Sequence, residues 1–361
     1  MDLHAILRRG VAEGASDIHI VSERPPALRV RTHIIPLDLP APSSDDVARA
    51  IREAAPPEAA EAFQANHDAD FSLELLAPDG SVESRFRVNA HRERCGPALS
   101  IRVTPRQAPE LASLGLPAVV ERFTRLPRGL ALVTGHTGSG KTTTLAAMVE
   151  AINARDARHI ITLEDPIEFV FENRRCLVQQ RELGRDMPTF ASGLRHALRQ
   201  DPDVILVGEM RDLETASLAI SAAETGHLVL STLHTCGAAQ TVERIIDMFP
   251  PAQQGQVRSM LANSLQGIVS QTLFRRQGAA PQGQRGMVAA AETLVCTPAA
   301  RNLIREGRTF EIPNVIDTGK ALGMQSMDAS IAALHLQGLI SRDDALARAH
   351  APDRLDRQLA A

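Results

Sequence analysis

Apolar and polar residues alternate with a period of two over much of the first third of the chain. The segments with this pattern are SDIHIVS, ALRVRTHI, FSLELL and SRFRVNAHRE, and the period is typical of half-buried strands. Apolar residues at helical spacing near the N-terminus and the capped segment SSDDVARAIREA predict two helices. The pattern therefore predicts a small α+β domain over residues 1–105.

From residue 130 onward the apolar positions form nearly continuous runs. These runs are LALVTG, HIITLED, DVILVGE and HLVLSTLH, and helical or mixed segments separate them. Strands that are buried on both faces by flanking helices have this composition. The pattern predicts an α/β domain with a largely parallel sheet, built from strand–helix–strand units.

The remaining boundaries follow from proline content and helical periodicity. Three prolines and one glycine between residues 104 and 120 predict a linker, which we assign to residues 106–120, so that the second domain covers residues 121–361. Beyond about residue 255, helical periodicity predicts a mainly helical C-terminal part. Its segments are QVRSMLANSLQGIVSQTLF, AARNLIREG, SMDASIAALHLQGLI and RDDALARAH.

Composition limits the classes of partner. The 39 basic and 43 acidic residues give a net charge of −4, and the aromatic residues are all phenylalanine. A nucleic-acid-binding surface needs excess positive charge, and single strands are usually held by aromatic stacking. We therefore expect no nucleic-acid partner. The alternative is a nucleic-acid translocase with the same α/β core, which DNA-stimulated turnover would favour.

The cysteines and the apolar runs indicate a cytoplasmic protein. The four cysteines are far apart and form no C-x-x-C pair, so neither a zinc ribbon nor a disulfide framework is expected. The N-terminus lacks the continuous apolar core of a signal peptide. No apolar run approaches the roughly 20 residues that cross a bilayer. We expect membrane association only through partners.

One short stretch, GHTGSGKTT, carries a specific chemical signal. It satisfies the phosphate-loop pattern and lies between an apolar strand and a helical segment, as that motif requires. Lys141 would reach the β and γ phosphates and Thr142 would bind Mg²⁺. The predicted nucleotide-binding residues are Gly135, His136, Thr137, Gly138, Ser139, Gly140, Lys141, Thr142 and Thr143.

Two acidic residues stand where predicted strands end. Glu209 ends DVILVGE and would orient Mg²⁺ through a water molecule. Glu164 ends HIITLE, and because parallel strands bring their C-terminal ends to one edge of the sheet, it could orient and polarise the attacking water. The alternative is that Glu164 and Asp165 only cap the following segment.

Two histidines flank the strand HLVLSTLH. His234 follows its apolar residues and is the candidate sensor of the γ-phosphate, because that end of a parallel strand faces the ligand. His227 precedes them and is as readily explained as a structural histidine. A metal site formed by His234 and Cys236 lacks further ligands at close spacing.

Together, four segments resemble the secretion and pilus ATPase superfamily, at its Walker A, Asp, Walker B and His boxes. They are GHTGSGKTTT, ITLEDPIEF, DPDVILVGEMRDLETASLAISAAETGHLVLSTLHT and ERIIDMFP. Further segments resemble the PilT-like retraction ATPases of type IV pili over nearly the whole length; they are GASDIHI, FRVNA, RNLIRE, LGMQSMD and GLIS. The four-cysteine zinc motif usual in assembly and secretion ATPases is absent from the sequence, which favours the retraction branch.

The resemblance implies a hexameric ring of subunits, each with an N-terminal PAS-like domain and a RecA-like ATPase domain. ATP and Mg²⁺ would be held between the two domains at the subunit junctions, and hydrolysis would drive pilus retraction and twitching motility. An inner-membrane platform protein and a paralogous motor subunit are the implied partners at the pilus base. An accessory retraction motor and a pilus assembly or type II secretion ATPase stay open, because the nucleotide site does not encode the direction of work.

The resemblance also implies that arginines of the first domain reach the nucleotide. The matching positions are Arg87 in SRFRVN and Arg102 in SIRVTP. Without the resemblance, a solvated strand face explains both residues. Arg195, Arg199 and Arg211 are alternative candidates for the same role.

The segment RNLIREG, residues 301–307, predicts an amphipathic helix. Ala300, Leu303 and Ile304 share an apolar stripe, and Arg301 and Arg305 form a neighbouring charged face. The pattern fits an ordinary core helix and a partner-contact helix equally well; the resemblance favours the second.

Overall fold

The chain forms two compact units. The computed structural model describes residues 1–30, 33–77, 79–80, 82–104, 107–278 and 286–360. One unit comprises Met1–Gln107 with Glu168–Val170, and the other comprises Ala108–Ile167 with Phe171–Ala361. Both combine helices with a sheet, so the predicted α/β fold class is confirmed.

The smaller unit is built on a six-stranded antiparallel sheet, with three helices among its described residues. The strand order is β3-β2-β1-β6-β5-β4. The strands are β1 Asp17–Val21, β2 Ala27–Val30, β3 His33–Pro36, β4 Asp68–Leu76, β5 Val82–Glu93 and β6 Gly96–Thr104. The helices are α1 Leu3–Ala12, α2 Ser44–Ala54 and α3 Pro57–Asn66. The predicted strands SDIHIVS, FSLELL and SRFRVNAHRE and the two predicted helices are present. The prediction of a single strand over ALRVRTHI is wrong, because its residues belong to the antiparallel strands β2 and β3. Helix α3 was not predicted.

The period-two alternation separates a core face of this sheet from a polar face. Ile18 of β1 and Ile101 of β6 are opposite each other and belong to the same buried cluster as Leu7 of α1. On the other face Asp17 lies opposite Arg102. One face is therefore packed with apolar side chains while the other carries charge.

The larger unit is built on a seven-stranded sheet of order β13-β12-β7-β11-β10-β8-β9. The strands are β7 Gly129–Thr134, β8 His159–Glu164, β9 Leu177–Glu182, β10 Val204–Val207, β11 Leu228–Leu233, β12 Leu265–Arg275 and β13 Met287–Val295. All neighbouring pairs are parallel except β12 and β13. The four apolar runs are strands β7, β8, β10 and β11, as predicted.

Helices of this unit cover both faces of the sheet. They are α4 Val119–Thr124, α5 Lys141–Arg155, α6 Phe190–Ala197, α7 Leu213–Glu224, α8 Ala238–Asp247, α9 Pro251–Ser264, α10 Pro298–Glu306, α11 Ile312–Thr318, α12 Met327–Leu336, α13 Arg342–Ala347 and α14 Pro352–Ala360. Leu130 and Leu132 of β7 belong to one core, and Ala131 and Val133 belong to another on the opposite face. Burial on both faces explains why these strands are continuously apolar.

The prediction of helix is wrong for residues 265–274, the second half of the segment QVRSMLANSLQGIVSQTLF. Helix α9 ends at Ser264, and Leu265–Arg275 is strand β12, paired with β7 on one side and β13 on the other. Periodicity alone does not distinguish a buried strand from a buried helix, and the β-branched Ile268 and Val269 favour the strand. The helical C-terminal region begins after β13, at α10.

The predicted linker contains regular structure. Leu111–Leu114 forms a 3₁₀ helix, and α4 begins at Val119. Pro105 and Arg106, at the predicted boundary between the first domain and the linker, lie outside the described residues.

Candidate active site

The loop between β7 and α5 has the backbone geometry of a phosphate cradle. Gly135, Gly138 and Gly140 have φ angles of 139°, 80° and 91°, which disfavour residues with a side chain. A Cβ at Gly135 would lie 2.3 Å from the backbone oxygen of Gln271 and 2.5 Å from Ser139 Oγ. Glycine is therefore required where the loop passes closest to β12.

Lys141, the first residue of α5, is buried within this loop. Its Nζ donates hydrogen bonds to the backbone oxygens of Gly135 at 2.8 Å and His136 at 3.1 Å. The amine thus lies beside the helix N-terminus, where backbone N–H groups already favour an anion. Loop, helix and lysine together can bind phosphate groups.

The predicted residues at strand ends meet at one edge of the sheet. Strands β7, β11, β10 and β8 are neighbours and run parallel, so they end on the same side. The Gly208 N–H donates to the backbone oxygen of Leu163 at 2.8 Å, and Thr232 Oγ1 donates to the backbone oxygen of Gly208 at 2.6 Å. These bonds hold the backbone before Glu209 against both adjacent strands.

His234 lies between Lys141 and Glu209. Its Nδ1 is 3.5 Å from Lys141 Nζ, and its Nε2 is 3.1 Å from Glu209 Oε1. The other Glu209 oxygen is 2.8 Å from Arg211 Nε. The Glu209 side chain is 17% exposed and that of His234 is 45% exposed. The structure therefore brings the predicted lysine, histidine and acid together, with the histidine open to solvent.

Glu164 is buried at the end of β8, and Thr162 and Gln180 are among the residues that hold its side chain. Its Oε1 accepts hydrogen bonds from Thr162 Oγ1 at 2.6 Å and from Gln180 Nε2 at 3.1 Å. The next regular element is the strand β9, so no helix begins there for Glu164 or Asp165 to cap. Gln180 was missed because β9 was not predicted, although LVQQRE alternates weakly.

The family model described as type II/IV secretion system protein matches residues 1–335. The chain belongs to this family. The type IV pilus retraction ATPase PilT of Pseudomonas aeruginosa is 45% identical to it, over 98% of this chain and 99% of the relative. A twitching motility protein of Neisseria gonorrhoeae is 44% identical, over 96% of this chain and 90% of the relative.

A solved structure of a pilus retraction motor shares the fold. A crystal structure of the pilus retraction motor PilT with bound ADP matches with a TM-score of 0.89 at 42% identity, covering 99% of each chain. The family membership makes this chain a member of a group of ATPases, and nucleotide binding is observed in that relative. In the part of the chain that the structure describes, no helix is long and apolar enough to span a membrane.

The two arginines implied by the family resemblance lie side by side in the smaller unit. Arg87 of β5 is directly opposite Arg102 of β6, and both are exposed. Arg102 Nε donates to Asp17 Oδ1 at 3.2 Å, and Asp17 also lies 3.9 Å from Arg29 Nε. A row of three arginines with one aspartate therefore crosses the polar face of this sheet.

The alternative arginines are placed differently within the larger unit. Arg195 pairs with Glu214, and Arg199 Nη1 donates to the backbone oxygen of Arg195. Arg211 pairs with the predicted site residue Glu209. Of these three candidates, Arg211 has a described contact with the predicted nucleotide site.

Two remaining predicted features have separate locations. His227 precedes β11, at the end opposite His234, and its Nδ1 lies 3.0 Å from the backbone oxygen of Ala222. Cys95 and Cys236 are exposed, whereas Cys176 and Cys296 are buried, and all four thiols are free. Desolvation raises the pKa of Cys296 to about 12.

Proposed function

We propose that this chain is a hexameric ATPase motor that couples ATP hydrolysis to type IV pilus retraction, the disassembly of pilin that produces twitching motility. The observation that carries the proposal is its likeness, over nearly the full length, to the retraction ATPase PilT, including the ADP-bound motor. The contact between His234, Lys141 and Glu209 at the end of the phosphate loop supports the same conclusion.

The phosphate loop and Lys141 would bind ATP. Loop N–H groups from Gly138 to Thr143 and the Lys141 amine would surround the β and γ phosphates. The Thr142 hydroxyl, in the first turn of α5, and the Glu209 carboxylate, through water, would hold Mg²⁺. These oxygen donors are of the type Mg²⁺ prefers. When bound, the ion would neutralise charge that develops on the phosphates.

Glu164 would act on the attacking water. Thr162 and Gln180 fix the orientation of its carboxylate, which would orient and polarise the water. His234 would contact the γ-phosphate from the neighbouring strand end. Arg87 and Arg102 would place positive charge beside the negative charge that spreads over the γ-phosphate in the transition state.

The motor would act as a ring at the cytoplasmic face of the pilus base. Its partners would be an inner-membrane platform protein and a paralogous motor subunit. In a ring with ATP at each junction, binding and hydrolysis can be converted into motion between subunits.

A Lys141→Ala variant tests both the ATPase activity and the pilus retraction of this proposal. Lys141→Ala should weaken nucleotide binding as well as turnover, because it removes a charge that bound phosphates use. Purified wild-type protein should release phosphate from ATP. Cells carrying only the variant should keep surface pili and lose twitching, since pili that cannot retract accumulate. Loss of pili would instead assign an assembly motor, and unchanged nucleotide affinity would contradict the role of Lys141.

A further inference from the structure

The helix that follows His234 is capped by a side chain from a distant strand. The first residue of α8, Ala238, donates its N–H to Glu292 Oε1 at 2.8 Å. Gly237 precedes it with a φ of 149° and has no side chain to serve as a cap. Glu292 is on β13, 54 positions further along the chain. A carboxylate at this end of α8 also interacts favourably with the helix dipole.

Hydroxyl groups also hold the loop of residues 235–237, which connects His234 to α8. Thr241 Oγ1 donates to the backbone oxygen of Gly237 at 2.6 Å and lies 2.7 Å from Thr235 Oγ1. Both threonines are buried. Thr241 Oγ1 is also 3.5 Å from the hydroxyl of Thr134, at the end of β7. The loop between His234 and α8 is therefore tied to the strand that enters the phosphate loop.

We propose that Glu292 is a positioning residue for His234. Residues 235–237 form the whole connection between His234 and the capped amide, so the cap limits where the histidine backbone can lie. On its other side, His234 contacts Lys141 and Glu209. Glu292 thus acts through the loop on the group that would meet the γ-phosphate. The inference rests on the proposed function, in which His234 has that role.

Three substitutions of Glu292 separate positioning from packing. Glu292→Ala removes the acceptor, and we expect kcat to fall about tenfold or more, since small displacements of reacting groups have effects of this size. Glu292→Gln keeps an oxygen acceptor and should stay near wild type. Glu292→Met keeps the side-chain length without a strong acceptor and should behave like alanine. Glu224→Ala, an exposed glutamate at the end of α7, is the matched control.

Nucleotide affinities provide a readout that a merely structural role would not move. Because ADP has no γ-phosphate, Glu292→Ala and Glu292→Met should lower the affinity for a non-hydrolysable ATP analogue and leave the affinity for ADP unchanged. Equal weakening of both nucleotides, or no weakening of either, would overturn the inference. Glu292→Met keeps the test available if the alanine variant does not fold.

A double-mutant cycle with His234→Ala tells apart failure of the inference from failure of the proposed function. If Glu292 acts through His234, adding Glu292→Met to His234→Ala should cause no further loss of kcat. Fully additive losses would overturn the inference and leave His234 its role. Wild-type turnover and ATP preference in His234→Ala alone would overturn both.

Discussion

The environment of Glu164 at the end of β8 suits an acid that must stay fixed while water reacts beside it. Its side chain is buried, and Thr162 and Gln180 both donate to the same carboxylate oxygen. A fixed orientation reduces the rearrangement needed to reach the transition state. The two donors also make glutamine a conservative replacement, because an amide oxygen can accept both bonds.

Glu164→Gln should therefore leave ATP affinity near wild type while turnover falls about a hundredfold, because the variant loses the base and keeps the packing. Phosphate release and ATP binding measured on the same preparation test this expectation. Asp165→Asn, which changes the exposed neighbouring carboxylate, is the matched control and should retain turnover. If Asp165→Asn is inactive and Glu164→Gln is active, the assignment belongs to Asp165.

Among the elements, α10 differs most from its sequence-based interpretation. Arg301, predicted to lie on a charged face beside the apolar stripe, is half-buried and donates to four acceptors. These are the backbone oxygens of Cys296, Ala262 and Asn263 and the side-chain oxygen of Gln266. Arg301 thus satisfies carbonyls at the end of α9 that the helix leaves unpaired. Arg305 is exposed, as predicted.

Arg301→Ala should consequently destabilise the larger unit by about 1.5–3 kcal/mol, since partly buried acceptors lose a charged donor. Thermal or denaturant unfolding measures the difference in free energy of unfolding. Arg305→Ala, on the same helix, should stay within about 0.5 kcal/mol of wild type. Equal stability of Arg301→Ala and Arg305→Ala would show that the four bonds contribute nothing net, and would leave a partner contact as the reason for Arg301.

Helix α2 of the smaller unit begins with a reciprocal capping box. Ser43 Oγ accepts the N–H of Asp46, and Asp46 Oδ2 accepts the N–H and the hydroxyl proton of Ser43. The side-chain and backbone bonds from Ser43 lower the pKa of Asp46 to about 2 from 3.8. Because the pKa of the folded state is lowered, the capping contribution is complete above pH 3.8 and is lost as the pH falls towards 2.

Ser43→Ala should raise the pKa of Asp46 back towards 3.8, because it removes the largest cause of the shift. Carboxyl chemical shifts followed during an acid titration of the full chain measure this pKa directly. An unchanged low pKa in Ser43→Ala would assign the shift to the backbone N–H of residue 43, which the variant keeps, and to the nearby positive charges, of which Arg49 is one.

At the scale of the whole molecule, the proposed ring makes activity depend on association. Arg102 lies in the smaller unit and Glu164 in the larger, and the proposed function assigns both to ATP sites at subunit junctions. Subunits carrying Arg102→Ala and subunits carrying Glu164→Gln should each be inactive alone. Mixed together, they should recover part of the turnover if one intact residue from each can meet at a junction.

Sedimentation velocity on the same samples shows whether turnover follows the assembled species. A fully active monomer would defeat the ring requirement. Recovery that is absent in mixed hexamers would place Arg102 and Glu164 in the same subunit's site. Wild-type turnover by Arg102→Ala alone would remove Arg102 from the site.

The sequence by itself determined the chemistry of the phosphate loop and the strand ends that accompany it. Glycine spacing, Lys141 and the apolar run before them are local features, so a short stretch of sequence specifies them. The placement of Glu164, Glu209 and His234 at one edge was predicted in the same way, because parallel strands bring their C-terminal residues to one edge whatever the strand order. The alternation in the first third likewise specified most strands of the smaller unit.

Only the tertiary structure decided which side chains surround those residues. Gln180 beside Glu164, Glu292 at the start of α8 and the acceptors of Arg301 come from segments 16, 54 and up to 39 positions away. Strand order brings these segments together, and local periodicity does not encode strand order. The same reason explains why β12 was predicted as a helix. Its hydrogen-bond partners are the strands β7 and β13, which lie outside its own sequence, so the pattern of β12 alone does not reveal the pairing.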